Sequence, residues 1–281
     1  MPRVPDAVLI HYPNASLIEI HRNYTPFPVQ GGGMRGSVQG FSKASRKRML
    51  NLLNRIEQSA YKKAKLITLT YHKNERDHVK SKKDLHKFLT YLRRNHTDHS
   101  GIWRLEWQDR GAIHYHILTF GRYIRHGEIA ETWTSIADPG NSEHLKAGTE
   151  IRAVRRARSG VAYVSKYMGK PTPTPDEPCP FSDGDGGDDK LRGRYSGRCP
   201  SAFQGRVWGV FNRRNLPLAR AETMVISSGQ AEEAIEYLSA LHGFRASAAG
   251  TFRLFTSGGS AHKETINQII GGKDGRANNG A

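Results

Sequence analysis

The chain has 281 residues, a mass of 31.4 kDa and a formal charge of +17, with 43 Lys and Arg against 26 Asp and Glu. That length suits one large domain with an appendage and crowds several independent ones. Mean hydropathy is −0.64, and no run reaches the roughly 18–20 apolar residues of a membrane span, so no membrane partner is expected.

Residues 1–40 are rich in Pro and Gly and include Gly31-Gly32-Gly33, which predicts an N-terminal arm or linker with one short strand. Ser42 can cap a helix over 42–61, with Met49, Leu52, Leu53 and Ile56 on one face and Lys43, Arg46, Lys47 and Arg48 on the other. KLITLTY (65–71) has the β-branched alternation of a strand. A second helix is predicted to begin at Ser81, with Leu85, Phe88, Leu89 and Leu92 inward. IWRLEWQ (102–108) and AIHYHILTF (112–120) read as strands around Asp109-Arg110-Gly111, followed by a helix over 127–136 and a strand over 148–154. A short helix from Ser159 ends at Gly169, ahead of Pro171. RVWGVF (206–211) is a strand, and 222–256 reads as strand, helix and strand. The Gly-, Asn- and Ala-rich tail from Ser257 is expected to fray. The order predicts an α+β fold with an antiparallel sheet and helices on one or both faces.

The positive charge is unevenly spread. Residues 171–189 hold six acids and no base, so the excess on the rest of the chain exceeds +17. A chain this basic, with a pI near 10.0, favours a polyanion, because Lys and Arg release counterions condensed on phosphates. The acidic stretch DGDGGDD (183–189) resembles a calcium loop but lacks its Gly-x₅-Glu continuation, and reads as a flexible acidic insertion over 171–190. Cys179 and Cys199 form neither a CxxC pair nor a disulfide framework, and the N-terminus lacks a charged start followed by a long apolar run. Both point to a reduced, cytoplasmic setting.

Two constellations carry chemistry. In the strand containing His114-Tyr115-His116, period two puts both imidazoles on one face. A three-residue hairpin loop needs a left-handed residue at its end, and Gly111 fits. Gln108 then pairs with Ala112, and Glu106 falls opposite His114 on the face of both histidines. Two imidazoles and a carboxylate can hold Mg²⁺, Mn²⁺ or a transition metal with positions left open for substrate oxygens. The alternative is an ordinary solvated strand face.

The second lies on VAYVSKYMGK, where Tyr163 and Tyr167 are i and i+4 on one helix face and Lys166 borders it. A phenol with a pKa near 10 attacks poorly unless a cation and a polarised phosphate assist it. By itself this pattern is better explained by an amphipathic helix with two core tyrosines and a solvated Lys. The preceding Arg152, Arg155, Arg156 and Arg158, with Lys170 beyond, suit contacts to a nucleic-acid backbone.

Together, EWQDRGAIHYHIL and YVSKYMGK resemble the rolling-circle replication initiators of the HUH endonuclease superfamily, in the two-tyrosine form of bacterial phages and some plasmids. KLITLTY resembles that family's first motif strand, and RVWGVFNRRNLP the strand that follows in phage-type members. The resemblance covers residues 41–215 and leaves out the arm and a C-terminal α/β appendage over 216–281. It implies a central antiparallel sheet of about five strands, akin to an RNA-recognition or ferredoxin-like fold. It further implies a divalent metal, Mg²⁺ or Mn²⁺, on His114, His116 and Glu106, and tyrosine attack on single-stranded or cruciform origin DNA. The attack would leave a 5′-phosphotyrosine and a priming 3′-hydroxyl, with Lys166 assisting and the second tyrosine resealing the circle. Host helicase and polymerase would serve as partners in a bacterial cytoplasm.

No nucleotide cofactor is expected: Gly31 to Gly36 has phosphate-loop glycine spacing, but Ser37 stands where a lysine would be needed. Two rival readings remain. A relaxase or single-strand transposase shares the chemistry, but relaxases usually add a third histidine and an N-terminal tyrosine, and transposases commonly have one tyrosine. A binding-only module with a recognition-like sheet needs neither metal nor nucleophile.

Overall fold

A computed structural model describes residues 7–20, 41–73, 75–108, 112–154, 206–242, 251–254 and 260–271. The chain divides into two units, one within Arg35–Leu52 and Ser59–Pro217, the other within Met1–Met34, Leu53–Gln58 and Leu218–Ala281. The fold is α+β.

The larger unit is built on a five-stranded antiparallel sheet. Its strands are β3 (Lys65–Thr70), β4 (Ser100–Trp107), β5 (Ile113–Phe120), β6 (Thr149–Ala153) and β7 (Trp208–Phe211), in the order β6-β3-β5-β4-β7. Odd-numbered β3–β5 positions form one apolar face: Ile67, Leu69, Leu105, Tyr115 and Ile117 are all buried. Helix α3 (His78–Asn95) joins this layer through the buried Tyr115 phenol, which donates to Ser81 Oγ at 3.1 Å. Trp133 of α4 (His126–Ala137) meets Phe88 of α3 and Tyr71 edge-on, at 6.0 and 5.2 Å between ring centroids. Its indole N–H donates to the Thr70 carbonyl at 2.9 Å and so ties the end of β3 to the helical layer.

The smaller unit is a second antiparallel sheet made of β1 (Ala7–His11), β2 (Ser16–Ile20), β8 (Glu222–Ile226) and β9 (Thr251–Leu254), in the order β8-β1-β2-β9. Ala7, Leu9, Ile18, Ile20 and Ile226 make an apolar layer with Ala231, Ala234 and Leu238 of α6 (Ser228–His242) and Ile266 of α7 (Ser260–Gly271).

Several expectations need correction. Residues 7–20 are a two-stranded hairpin and not an arm with one strand: AVLIH alternates and buries one side, SLIEI buries all but Glu19, and the two pair around a turn at Pro13-Asn14. The appendage thus takes strands from both ends of the chain. The helix predicted over 42–61 is α1 (Lys43–Asn54) and a short α2 (Gln58–Tyr61). Between them the backbone turns sideways: Ile56 bridges Leu218, and the Ala219 N–H donates to the Arg55 carbonyl at 2.9 Å. Helix α3 starts three residues earlier than Ser81, because the Asp77 side chain accepts from the Val79 and Lys80 amides at 2.8 and 3.1 Å. A short helix α5 (Ser142–Ala147) adds to the predicted elements; Asn141 caps it. The tail expected to fray from Ser257 contains α7, held by Ile266, Ile269 and Ile270 against the apolar layer. The predicted helix from Ser159, Cys179, Cys199 and the acidic insertion lie outside the described residues. No helix among the described residues is long and apolar enough to cross a membrane.

Candidate metal centre and nucleic-acid interface

The even-numbered face of the large sheet carries the polar constellation. The hairpin register is the one the turn predicts: Gln108 N donates to the Ala112 carbonyl at 2.8 Å, and Glu106 stands opposite His114. One step further, Arg104 stands opposite His116, and across the next strand Thr68 pairs with His116 and Thr70 with His114. Paired residues share a face, so one patch holds Glu106, His114, His116, Arg104, Thr68 and Thr70.

Within it, Glu106 Oε2 lies 2.9 Å from His116 Nε2 and 3.6 Å from His114 Nε2, and the imidazole centroids are 4.5 Å apart. One ligand atom from each of the three residues lies within 4.8 Å of the others. Glu106 and His116 are buried and His114 nearly so. Neither ring nitrogen of His114 has a hydrogen bond, although both are inaccessible to solvent. A buried imidazole left this way is costly unless something else occupies its lone pair. Two imidazoles converging on one carboxylate oxygen supply that: the set can hold a divalent cation, which would fill the position His114 faces.

His116 is fixed from its other side by a hydrogen bond between Nδ1 and Thr68 Oγ1 at 3.2 Å. Arg104 is wholly buried, with its guanidinium 3.9 Å from the centre of the Phe41 ring. Burial lowers its pKa to about 10, Glu106 opposes the shift and Arg46 adds to it, so the guanidinium stays charged at neutral pH. Strand periodicity places Arg104 on the Glu106 face, so that signal was already present in IWRLEWQ. Thr68 has no such signal, since its role depends on β3 pairing with β5.

Helix α1 lines the same face. Ser45 Oγ accepts from the Trp208 indole at 2.8 Å, and Phe41 just precedes the helix. Arg46, Lys47 and Arg48 of α1 are exposed, which puts cations beside the polar patch. Arg152 of β6 pairs in register with Leu66 and thus also belongs to this face; it is exposed and 2.6 Å from Glu150. Among the sequence-predicted residues, the structure brings together Glu106, His114 and His116, with Arg152 on the edge strand. Tyr163, Lys166, Tyr167, Arg155, Arg156, Arg158 and Lys170 lie outside the described residues.

Residues 64–172 match the family model of the replication-associated protein ORF2/G2P. The matched segment opens just before β3, contains all three candidate ligands and runs through the sequence holding both tyrosines. The match covers 109 of the 281 residues, so it shows a likeness of this segment to replication-associated proteins. No curated protein and no solved structure matches the chain.

Proposed function

We propose that the chain initiates rolling-circle DNA replication by nicking one strand at an origin through a tyrosine and later rejoining it. The observation that carries this reading is the convergence of Glu106, His114 and His116 on one sheet face within the segment similar to replication-associated proteins. A divalent ion, Mg²⁺ or Mn²⁺, held by these three residues supplies charge stabilisation at the scissile phosphate.

The chain's own residues do the rest. The phenolic oxygen of Tyr163 or Tyr167 attacks phosphorus, the P–O3′ bond breaks, and the 3′ oxygen leaves as a hydroxyl once it gains a proton. The phenol's proton is released, and Lys166 steadies the phenolate or the phosphate. The 5′-phosphotyrosine keeps the phosphodiester's energy, so the second tyrosine and the 3′-hydroxyl exchange strands without a nucleotide cofactor. Arg152, Arg155, Arg156, Arg158 and Lys170, with the basic face of α1, hold the single-stranded or cruciform origin DNA. Unwinding and synthesis fall to a host helicase and polymerase in a bacterial cytoplasm.

The test is an SDS-stable protein–DNA adduct. Full-length protein is incubated with Mn²⁺ and labelled single-stranded oligonucleotides tiled across the gene's own replicon. Wild type forms the adduct, chelator and His114→Ala abolish it, and Tyr163→Phe with Tyr167→Phe together abolish it. An adduct that persists in the double tyrosine variant sinks the mechanism.

A further inference from the structure

One end of the large sheet is rich in exposed cations, with Asp98 and, in the first turn of α4, Glu128 among them. Strand β3 begins there and β5 and β7 end there, as the pairings Lys65–Thr119, Ser100–Phe120 and Gly101–Phe211 require. Lys62 and Lys63 precede β3, Arg122 and Arg125 follow β5, and Arg213 and Arg214 follow β7; all six are exposed.

The loop between α3 and β4 binds the segments after β5 and β7 together. The Arg122 amide donates to the Asp98 carboxylate at 3.0 Å, Asn215 Nδ2 donates to the Thr97 carbonyl at 2.8 Å, and Asn212 Nδ2 donates to the His99 carbonyl at 2.7 Å. Asn212 adopts φ 45°, a left-handed conformation that Asn tolerates better than most residues and that starts the turn bearing Arg213 and Arg214. Asp98 already accepts the Arg122 amide, and its carboxylate is 4.0 Å from Arg122 Nε. Among these cations stands Tyr123, 76% exposed, a large ring with almost no packing role.

We infer that this end of the sheet is a second contact for single-stranded DNA, with the Tyr123 ring stacking on an unpaired base and the surrounding Lys and Arg holding its phosphates. The identity of the strand rests on the nicking reading; the chemistry of the contact rests on the ring and the charges. A stacking ring among cations is how proteins hold single strands without reading sequence. Paired bases in a duplex present no free face to it, which favours an unpaired strand. From His116 to Phe120 is four residues, or about 13 Å at roughly 3.3 Å per residue. A strand engaged at the metal centre would have that distance and more to cover before it reaches Tyr123, which follows Phe120 by three residues.

Binding is measured on the full chain with chelator present, so that no cleavage occurs. The probes are a fluorescein-labelled oligothymidylate of about 20 nucleotides, a length that exceeds typical single-strand site sizes, and a duplex of the same length. Tyr123→Ala weakens single-strand binding about tenfold, as removal of one base-stacking ring predicts, and Tyr123→Phe restores it. Replacing Arg213 and Arg214 by Gln reduces the salt slope by about 0.7 for each phosphate that these side chains neutralise. Wild-type affinity in Tyr123→Ala, or an equal loss on the duplex, overturns the inference. Adduct formation by the same variants in Mn²⁺ separates the two readings. A Tyr123 effect without any wild-type adduct leaves the second DNA contact standing and removes the nicking mechanism; a metal-dependent adduct with no Tyr123 effect does the reverse.

Discussion

Both sheets are wholly antiparallel and both bury histidines, yet they treat them in opposite ways. In the smaller sheet, His11 is satisfied by neutral partners: Ser16 Oγ is 2.7 Å from Nδ1, and Asn267 Oδ1 is 3.1 Å from Nε2. Since Oδ1 can only accept, Nε2 carries the proton and Nδ1 accepts from the Ser16 hydroxyl. That imidazole ties β1, β2 and α7 together and has no lone pair to spare. In the larger sheet, His114 and His116 turn Nε2 toward one carboxylate oxygen, and the nitrogens of His114 are without hydrogen bonds. A histidine with both nitrogens bonded to neutral groups is part of the scaffold. Two that converge on a carboxylate inside a sheet face form a set that can hold a cation.

The comparison predicts that the smaller sheet can be weakened without touching the metal centre. Leu9 is fully buried in an all-apolar layer. Leu9→Ala removes three methylene-sized groups and leaves a cavity, which typically costs about 2–5 kcal/mol. Urea unfolding should show that loss, while the Mn²⁺ affinity of the still-folded variant stays at the wild-type value. A parallel fall in metal affinity would mean that the two sheets do not divide scaffold and site in this way.

A smaller effect is expected where the site's own support is removed. Thr68 bonds the Nδ1 side of His116 and so keeps Nε2 turned toward Glu106, where a metal would bind. Partners of this kind are worth roughly ten- to a hundredfold in metal affinity. Thr68→Val keeps the shape and deletes the hydroxyl; calorimetric titration with Mn²⁺ should show the loss, and Thr68→Ser should recover most of it. Equal affinity in the Val and Ser variants would show that packing alone sets the ring.

How much of this was legible in the sequence depended on the range of the signal. The Glu106–His114 pairing was readable because Gly111 fixes the hairpin turn, and turn and strand are local. Arg104 was readable by the same alternation. Thr68 was not, because no local rule says that β3 lies beside β5 on the side away from β4. The start of α3 was misplaced because Ser81 looks like a cap, whereas its hydroxyl serves the buried Tyr115 phenol and Asp77 does the capping. The N-terminal hairpin was hidden by the Pro and Gly content of residues 21–40, which obscured the two short apolar strands just before it. Helix α7 was hidden in the same way by its Gly- and Asn-rich flanks, although Ile266, Ile269 and Ile270 have helical spacing. The sheet that pairs β1 with β8 joins residues more than 200 apart in sequence, and only the folded chain reveals such a pairing.

The smallest effect concerns acid. Burial lowers the pKa of His11, helped by Lys263 and opposed by the hydrogen bond to Asn267 and by the charge of Glu222, which stands opposite it on β8. The folded state therefore holds a neutral ring where the unfolded chain would titrate near pH 6.5. Above that pH both states are neutral, and the contribution is fully present. As pH falls below it, the unfolded chain takes up a proton first, and stability is lost until the lowered folded pKa is reached. His99 and His144 of the larger unit are also held down by burial and add slopes of the same sign. The informative quantity is thus a difference between variants. His11→Gln should start less stable at pH 7.5 and lose less between pH 7.5 and 5.5 than wild type in urea unfolding. If both lose the same amount, His11 is not the neutral clamp that the comparison takes it to be, and the contrast between the two sheets rests on the metal centre alone.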